Sequence, residues 1–265
     1  MRTSESLLEA KKECLKTVLQ MYKTANAGHI GASLSSLDLL VYLFFKEMKK
    51  ADKFILSKGH AAASLYAVLA KAGRMDESLL ETYYTDGTFL AAHPPCGQEK
   101  IPGIVFGTGS LGHGLSIATG LAFSTRYTKS KFNVYCVISE GDCNEGSTWE
   151  AILFAAHHKL SNLTVIVDRN GLQGFGRSDD VLNLNSLEDK FKAFNFETFT
   201  IEDGNNLENI DKVFKLTHAS KSDMPKCIIA KTIKGSGVSF MEDKLEWHYL
   251  PMTDADYELA LKEMI

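Results

Sequence analysis

The stretch from residue 134 to residue 173 constrains this chain more than any other. A mostly apolar run of strand length, 133–139, ends at an acidic, glycine-containing turn, Ser139-Glu140-Gly141-Asp142. A helical pattern over 146–159 follows, and a second apolar run, Leu163 to Val167, ends in Asp168-Arg169-Asn170-Gly171. Apolar runs this short, bounded by turn residues and separated by a helix, read as buried parallel strands joined by a crossover. Two strands that both stop at oxygen-bearing turns can hold one hard cation between them. A cation held there would in turn hold a phosphate.

The alternation extends along the chain. Helices are predicted over 111–127, 207–218 and 254–264, and strands over 197–201 and 227–232. The first part is richer in helix. Leu7, Leu8, Leu15, Val18, Leu19 and Tyr22 recur at helical spacing. Gly28-His29-Ile30-Gly31 breaks that helix, and an apolar helix is predicted over 37–48. Phe54-Ile55-Leu56 reads as a short strand, and Gly59-His60 opens another helix. The segment 85–107, with His93-Pro94-Pro95, is long and irregular, which in a compact domain points to function. The expected fold class is α/β, a parallel sheet with helices on both faces, in a single domain over 1–265. Ligands of such sheets sit outside the carboxyl ends of the strands. Glu140, Asn170, Asp203-Gly204-Asn205 and Lys234-Gly235 all fall there.

Composition narrows the partner classes. A net charge of -4 gives no reason to expect nucleic acid or a membrane surface. No stretch approaches the roughly 18 uninterrupted apolar residues of a membrane helix. The N-terminus is charged and amphipathic, without the apolar centre of a signal peptide. Five cysteines, Cys14, Cys96, Cys136, Cys143 and Cys227, lack metal-type pairing, and reduced thiols in a cytoplasmic protein are the simplest account.

Glu140 or Asp142 can supply a carboxylate to a magnesium-like ion, and Asn170 an amide oxygen. Gly141 and Gly171 let the backbone come close to an anion, and the helix that follows directs its positive end toward the same crevice. The plainer reading, that these are only turns between strands and helices, has equal claim on residue types alone. Gly107 to Gly114 is a second phosphate-cradle candidate, but it lacks the Gly-Lys-Ser/Thr ending of a P-loop. His157, His158 and His218 lie within helical stretches and read as packing or surface residues. His29, His60, His93, His113 and His248 each adjoin Gly, Pro or Trp at a predicted turn. Together they suggest a polar cleft able to bind hydroxyls and phosphate and to shuttle protons.

In six blocks, taken in order, the chain resembles the N-terminal half of transketolase. These are TANAGHIGASLS, DKFILSKGHAAASLYAVLA, the His93-Pro94 loop, GTGSLGHGLSIATGLA, EGSTWEAILFAAHHKLSNLTVIVDRNGLQ with its preceding acidic turn, and AKTIKGSGVSFMEDKLEWH. The resemblance implies a thiamine diphosphate-binding, PP-type domain and a divalent cation, Mg2+ or else Ca2+ or Mn2+. It implies transfer of two-carbon ketol units between sugar phosphates. It also implies a partner, a separate C-terminal, pyrimidine-binding subunit, in an α2β2 heterotetramer. Neighbouring readings are a deoxyxylulose-phosphate-synthase-like protein, a 2-oxo acid dehydrogenase subunit, or a non-catalytic cofactor-binding remnant.

Family roles carry over position by position. The family motif begins Gly-Asp-Gly, and its Asp binds the metal. Anchoring on Glu145-Gly146 and Trp149-Glu150 places Ser139-Glu140-Gly141 on that motif and makes Glu140 the ligand, 30 positions before Asn170. Matching Gly141-Asp142-Cys143 instead makes Asp142 the ligand, 28 positions before it. Glu140 is the expected ligand and Asp142 the alternative. Asn170 and the Leu172 carbonyl complete the metal set. Gly141 and Asp142 would lie near the diphosphate. Gly109, Ser110 and Leu111 match the loop that packs near the cofactor, and His60 and His248 match cofactor contacts. His29, His93 and His248 match active-site histidines. His113 stands where the family often carries Gln, and Ile30 where it often carries Pro.

Overall fold

The structure, a computed structural model, describes residues 4–96, 101 and 103–264. Five strands form one parallel sheet: β1 (Lys53–Leu56), β2 (Val134–Ser139), β3 (Leu163–Arg169), β6 (Glu197–Ile201) and β7 (Lys226–Lys231). Their spatial order is β1-β2-β3-β7-β6. After β3 the chain makes a small antiparallel hairpin, β4 (Leu172–Gln173) with β5 (Gly176–Arg177). It then passes to the sheet edge before β7 returns between β3 and β6.

The central strands are apolar because both of their faces are covered. Tyr135, Val137, Ile166 and Ile228 pack into one cluster, with side chains of α1 (Ser4–Ala25), α2 (Ile30–Tyr42), α3 (Ala62–Lys71), α8 (Leu207–Ala219) and α9 (Asp254–Glu263). The alternate residues Cys136, Ile138, Val165, Val167 and Ile229 pack into a second, with α4 (His113–Ser124), α5 (Gly146–His157) and α7 (Leu187–Ala193). The two-residue period of a strand thus supplies both cores. Burying each large aliphatic side chain favours folding by about 1.5–3 kcal/mol. A single turn, α6 (Ser178–Val181), follows the hairpin.

Register sets the position of the site. Ser139 pairs with Asp168, and Asp168 pairs with Ala230. On the other side Leu56 pairs with Val137. Four strands therefore end at nearly one level, and the residues just beyond them meet: Lys58, Glu140, Asn170 and Lys234.

The apolar helix expected over 37–48 starts earlier, at Ile30, and ends at Tyr42, followed by a wider π turn, Leu43–Glu47. Its first turns carry Ser33, Ser35 and Ser36, which read as loop but are fully buried. Their hydroxyls are consumed: Ser33 pairs with the Tyr22 hydroxyl at 2.7 Å, Ser35 donates to Asp168 at 2.6 Å, and Ser36 donates to the Ala32 carbonyl at 3.4 Å. Tertiary partners override the local preference of serine for turns. The helix expected over 111–127 is shorter, His113–Ser124, and Leu8, expected on the packed face of α1, is exposed.

Candidate active site

A cavity of about 270 Å³ opens at the carboxyl end of the sheet. Its floor is a buried ion pair. Asp168, near the end of β3, accepts from the Lys58 ammonium and the Ser35 hydroxyl on one oxygen and from the Thr232 hydroxyl on the other. Lys58 also donates to the Ala32 carbonyl at 2.8 Å and to Ser35 Oγ at 3.2 Å. All three of its N–H groups are thereby satisfied. A buried charge pair with every site bonded is a rigid scaffold, and removing one partner would strand the other.

Three imidazoles stand together on one wall. The ring centres of His29 and His248 are 5.0 Å apart, those of His60 and His248 5.7 Å, and those of His29 and His60 5.9 Å. His29 caps α2 in the left-handed conformation, with φ of 75°. Its N–H donates to the His248 carbonyl at 3.1 Å, tying the two histidines through the backbone. A Cβ at Gly28 would overlap the Tyr249 carbonyl, so only glycine allows this approach. His93 lines the cavity from the irregular segment. The Tyr66 hydroxyl faces two carbonyls of that segment, Ala91 at 2.9 Å and His93 at 3.2 Å.

Burial lowers the pKa of all four histidines. For His60, Lys58 and the neighbouring imidazoles add to burial. For His29, His93 and Lys234 add to it, and for His93 burial is the cause. Burial and the Lys234 ammonium push His248 down to about 3. The wall is therefore uncharged at neutral pH. Lys234, also buried, is brought down to about 8 by desolvation and by Lys58. It donates to His248 Nδ1 at 2.8 Å and to the Leu172 carbonyl at 3.3 Å.

The opposite side carries oxygen donors. Glu140 is only 5% exposed. Its Oε2 accepts from the Gly171 N–H at 2.7 Å and from Ser178 Oγ at 3.1 Å. Its Oε1 has the Arg169 guanidinium 3.6 Å away. Desolvation raises the Glu140 pKa, against the pull of those donors. Asn170 Oδ1 accepts from the Leu172 N–H at 3.1 Å, and its Nδ2 donates to Ser35 Oγ at 3.3 Å. Gly171, with φ of 72°, makes the turn that returns the chain to Glu140. Glu140, Asn170 and Leu172 all line the cavity. Carboxylate, amide and carbonyl oxygens are the donors that magnesium and calcium take. One carboxylate leaves such an ion with net positive charge and so with affinity for a phosphate. Among the described residues no three His, Cys, Asp or Glu side chains cluster as a metal site.

Asp142 is placed differently. It is fully buried and does not line the cavity. Its Oδ1 accepts from Ser57 Oγ at 2.5 Å and the Gly112 N–H at 2.8 Å, and its Oδ2 from the Ser139 N–H at 2.7 Å and Ser139 Oγ at 2.8 Å. Those four donors engage both of its oxygens, and the carboxylate locks the β2 turn to the Gly-rich loop. Asp142, expected near the diphosphate, makes structural hydrogen bonds here and stands outside the cavity lining.

The other candidates separate in the same way. Gly141 and Leu111 line the cavity. Gly109 sits beside His93, whose Cδ2 would be 3.6 Å from an added Cβ. Ser110 and His113 are exposed and outside the lining. Lys58, Asp168, Gln173, Lys234 and Tyr249 line the cavity although no sequence motif assigns them a role. The available signal was position, since each lies within a few residues of the end of a strand or of the β4–β5 hairpin, or next to His248.

Comparison with known proteins places this architecture. Residues 12–264 match the family described as transketolase, thiamine diphosphate binding domain, and the chain belongs to that family. It is 37% identical to an apulose-4-phosphate transketolase subunit of Actinobacillus succinogenes, over 97% of this chain and 95% of that one. It is 34% identical to the 6-deoxy-6-sulfo-D-fructose transketolase subunit SqwG of Clostridium sp. (strain MSTE9), over 94% and 92%. Its fold superposes on transketolase from Leishmania mexicana with a TM-score of 0.89 at 24% identity, covering all of this chain and 41% of that one.

Proposed function

We propose that this chain is the N-terminal, diphosphate- and metal-binding subunit of a two-chain transketolase, forming one such domain over 1–265. In this reading the complex transfers a two-carbon ketol unit from a ketose phosphate to an aldose acceptor. The observation that carries the reading is the meeting of Glu140, Asn170 and Leu172 in one cavity with His29, His60, His93 and His248. The relatives it spans almost end to end are named as transketolase subunits, which favours this activity over other thiamine-dependent classes. Those relatives are named for different sugars, apulose-4-phosphate and 6-deoxy-6-sulfo-D-fructose, so the fold alone does not select the sugar.

When bound, thiamine diphosphate supplies the carbon–carbon bond chemistry. The chain's own residues bind and orient. Glu140, the Asn170 amide and the Leu172 carbonyl would hold the cation, with Mg2+ the first choice and Ca2+ or Mn2+ also suited to oxygen donors. Gly141 leaves room for a diphosphate beside it, and Leu111 with the Gly109-Ser110 turn shapes the adjoining wall. His29 and His93, uncharged at neutral pH, can accept a proton from a sugar hydroxyl. His60 borders the same space.

The remaining half of the active site would come from a separate C-terminal, pyrimidine-binding subunit, in an α2β2 assembly. Human transketolase is matched over only 40% of its length, which supports a second chain supplying the rest. Among the described residues no helix is long and apolar enough to cross a membrane, and none of the five cysteines is in a disulfide. The thiols support a reducing, cytoplasmic setting. The test is reconstitution: the purified chain with thiamine diphosphate and Mg2+ should show no ketol transfer until its cognate partner is added. Appreciable transfer by the chain alone would refute the two-subunit reading.

A further inference from the structure

Lys234 and His248 are joined in a way that assigns His248 a particular chemistry. Lys234 follows β7 and is 1% exposed. Its Nζ lies 2.8 Å from His248 Nδ1 and 3.3 Å from the Leu172 carbonyl. A lysine ammonium has three N–H donors and no acceptor. A neutral imidazole has one donor nitrogen and one acceptor. Nδ1 facing an ammonium must therefore be the acceptor, and the ring proton must sit on Nε2. We infer that Lys234 is a positioning residue that locks His248 as its Nε2–H tautomer, making His248 a fixed hydrogen-bond donor to an oxygen of the bound ligand.

Three observations support this. His248 lines the cavity, so its free nitrogen meets whatever binds there. Among the described residues nothing hydrogen-bonds Nε2. An atom added to Gly174 would come within 3.2 Å of Nε2, so that glycine keeps the space beside the nitrogen open. The low pKa of His248 agrees, since a proton added at Nδ1 would face the ammonium directly.

The consequence is a division of labour among the histidines. An imidazole held as Nε2–H presents no lone pair to a substrate hydroxyl and cannot act as a base through that nitrogen. It can donate to a phosphate, hydroxyl or carbonyl oxygen. Among the described residues no lysine is bonded to the His29 or His93 ring, so both tautomers stay open to them. Which oxygen His248 meets rests on the function proposed above. The tautomer does not, because it is a property of the chain itself.

The experiment is nitrogen-15 NMR of the full chain labelled in histidine, near pH 7, with the His248 signals assigned by their loss in His248→Gln. The expected spectrum has protonated Nε2 and unprotonated Nδ1. In Lys234→Met, which removes the donor at similar volume, both signals should shift toward the average of mixed tautomers. In Lys234→Arg, whose guanidinium also has donors and no acceptor, the wild-type pattern should return. A wild-type His248 carrying its proton on Nδ1, or signals unchanged in a folded Lys234→Met chain, would overturn the inference. If Lys234→Met does not fold, raising the pH past about 8 in the wild type, which discharges Lys234, should mix the tautomers, and an unchanged spectrum there would overturn the inference. Loss of ketol transfer with the tautomer intact would count against the proposed function only.

Discussion

Glu140 and Asp142 stand two residues apart and do opposite jobs, and substitution should separate them. Asp142 satisfies four donors inside the protein, so Asp142→Asn places an amide N–H among groups that need an acceptor. We expect it to cost about 2–4 kcal/mol of stability, read from denaturant unfolding, whether or not metal is present. Glu140→Gln should unfold much like wild type but need at least about tenfold more Mg2+ to retain thiamine diphosphate, measured by calorimetry on the reconstituted complex. The two carboxylates look alike in sequence, since both sit in one acidic turn. The spacing to Glu145-Gly146 favours Glu140, and the partners of Asp142, brought from just past β1 and from the Gly-rich loop, add the physical reason. The histidines were legible because imidazoles beside Gly, Pro and Trp are unusual at turns. Lys58 was not, and Lys234 was placed at a strand end but not as a buried cation, because lysine is normally exposed and nothing local announces its burial.

His29 offers a second residue-scale test. A non-glycine residue in the left-handed region costs about 1 kcal/mol or more. His29→Gly should therefore be more stable than His29→Ala by about that amount, and equal stability of the two would show that no strain is held there. The buried histidines also set a pH dependence. Their folded pKa values lie below the usual 6.5, so their contribution is fully present above pH 6.5 and is lost as pH falls toward the folded values. Each imidazole can contribute up to about 1.4 kcal/mol per pH unit in that window. Stability of the metal-free chain should fall as pH drops below 6.5, and less steeply in His248→Gln.

At the scale of elements, the irregular segment that carries His93 depends on α3. Tyr66, fully buried, offers its hydroxyl to the Ala91 and His93 carbonyls. Tyr66→Phe should leave the fold intact and lower kcat/KM of the reconstituted enzyme by about five- to tenfold, roughly the worth of one hydrogen bond. An unchanged kcat/KM would show that the segment is held elsewhere. The strands and most helices were legible from periodicity, with ends within a few residues. The start of α2 was not, because its serines find partners only in the folded chain. The β4–β5 hairpin was not either, since two residues per strand carry no period. Yet the hairpin brings Gln173 and Gly174 to the cavity and leaves Phe175 88% exposed at its tip.

Across the whole molecule, one parallel sheet brings residues from four strand ends into one crevice, and the register of β1, β2, β3 and β7 does the aligning. The fold class was legible because alternating strands and helices admit few arrangements. The crevice was half legible: its oxygen donors and histidines stand out by type, whereas the Lys58–Asp168 floor exists only once β1 lies beside β2 and α2 covers β3. The central claim is that Glu140, Asn170 and Leu172 together hold a divalent ion that anchors a diphosphate. The most direct measurement is a crystal structure of the chain with its partner, thiamine diphosphate and Mg2+. One ion is expected about 2.1 Å from a Glu140 carboxylate oxygen, Asn170 Oδ1 and the Leu172 carbonyl, with the diphosphate completing its shell. An ion bound by Asp142, or a diphosphate seated away from these three oxygens, would contradict it.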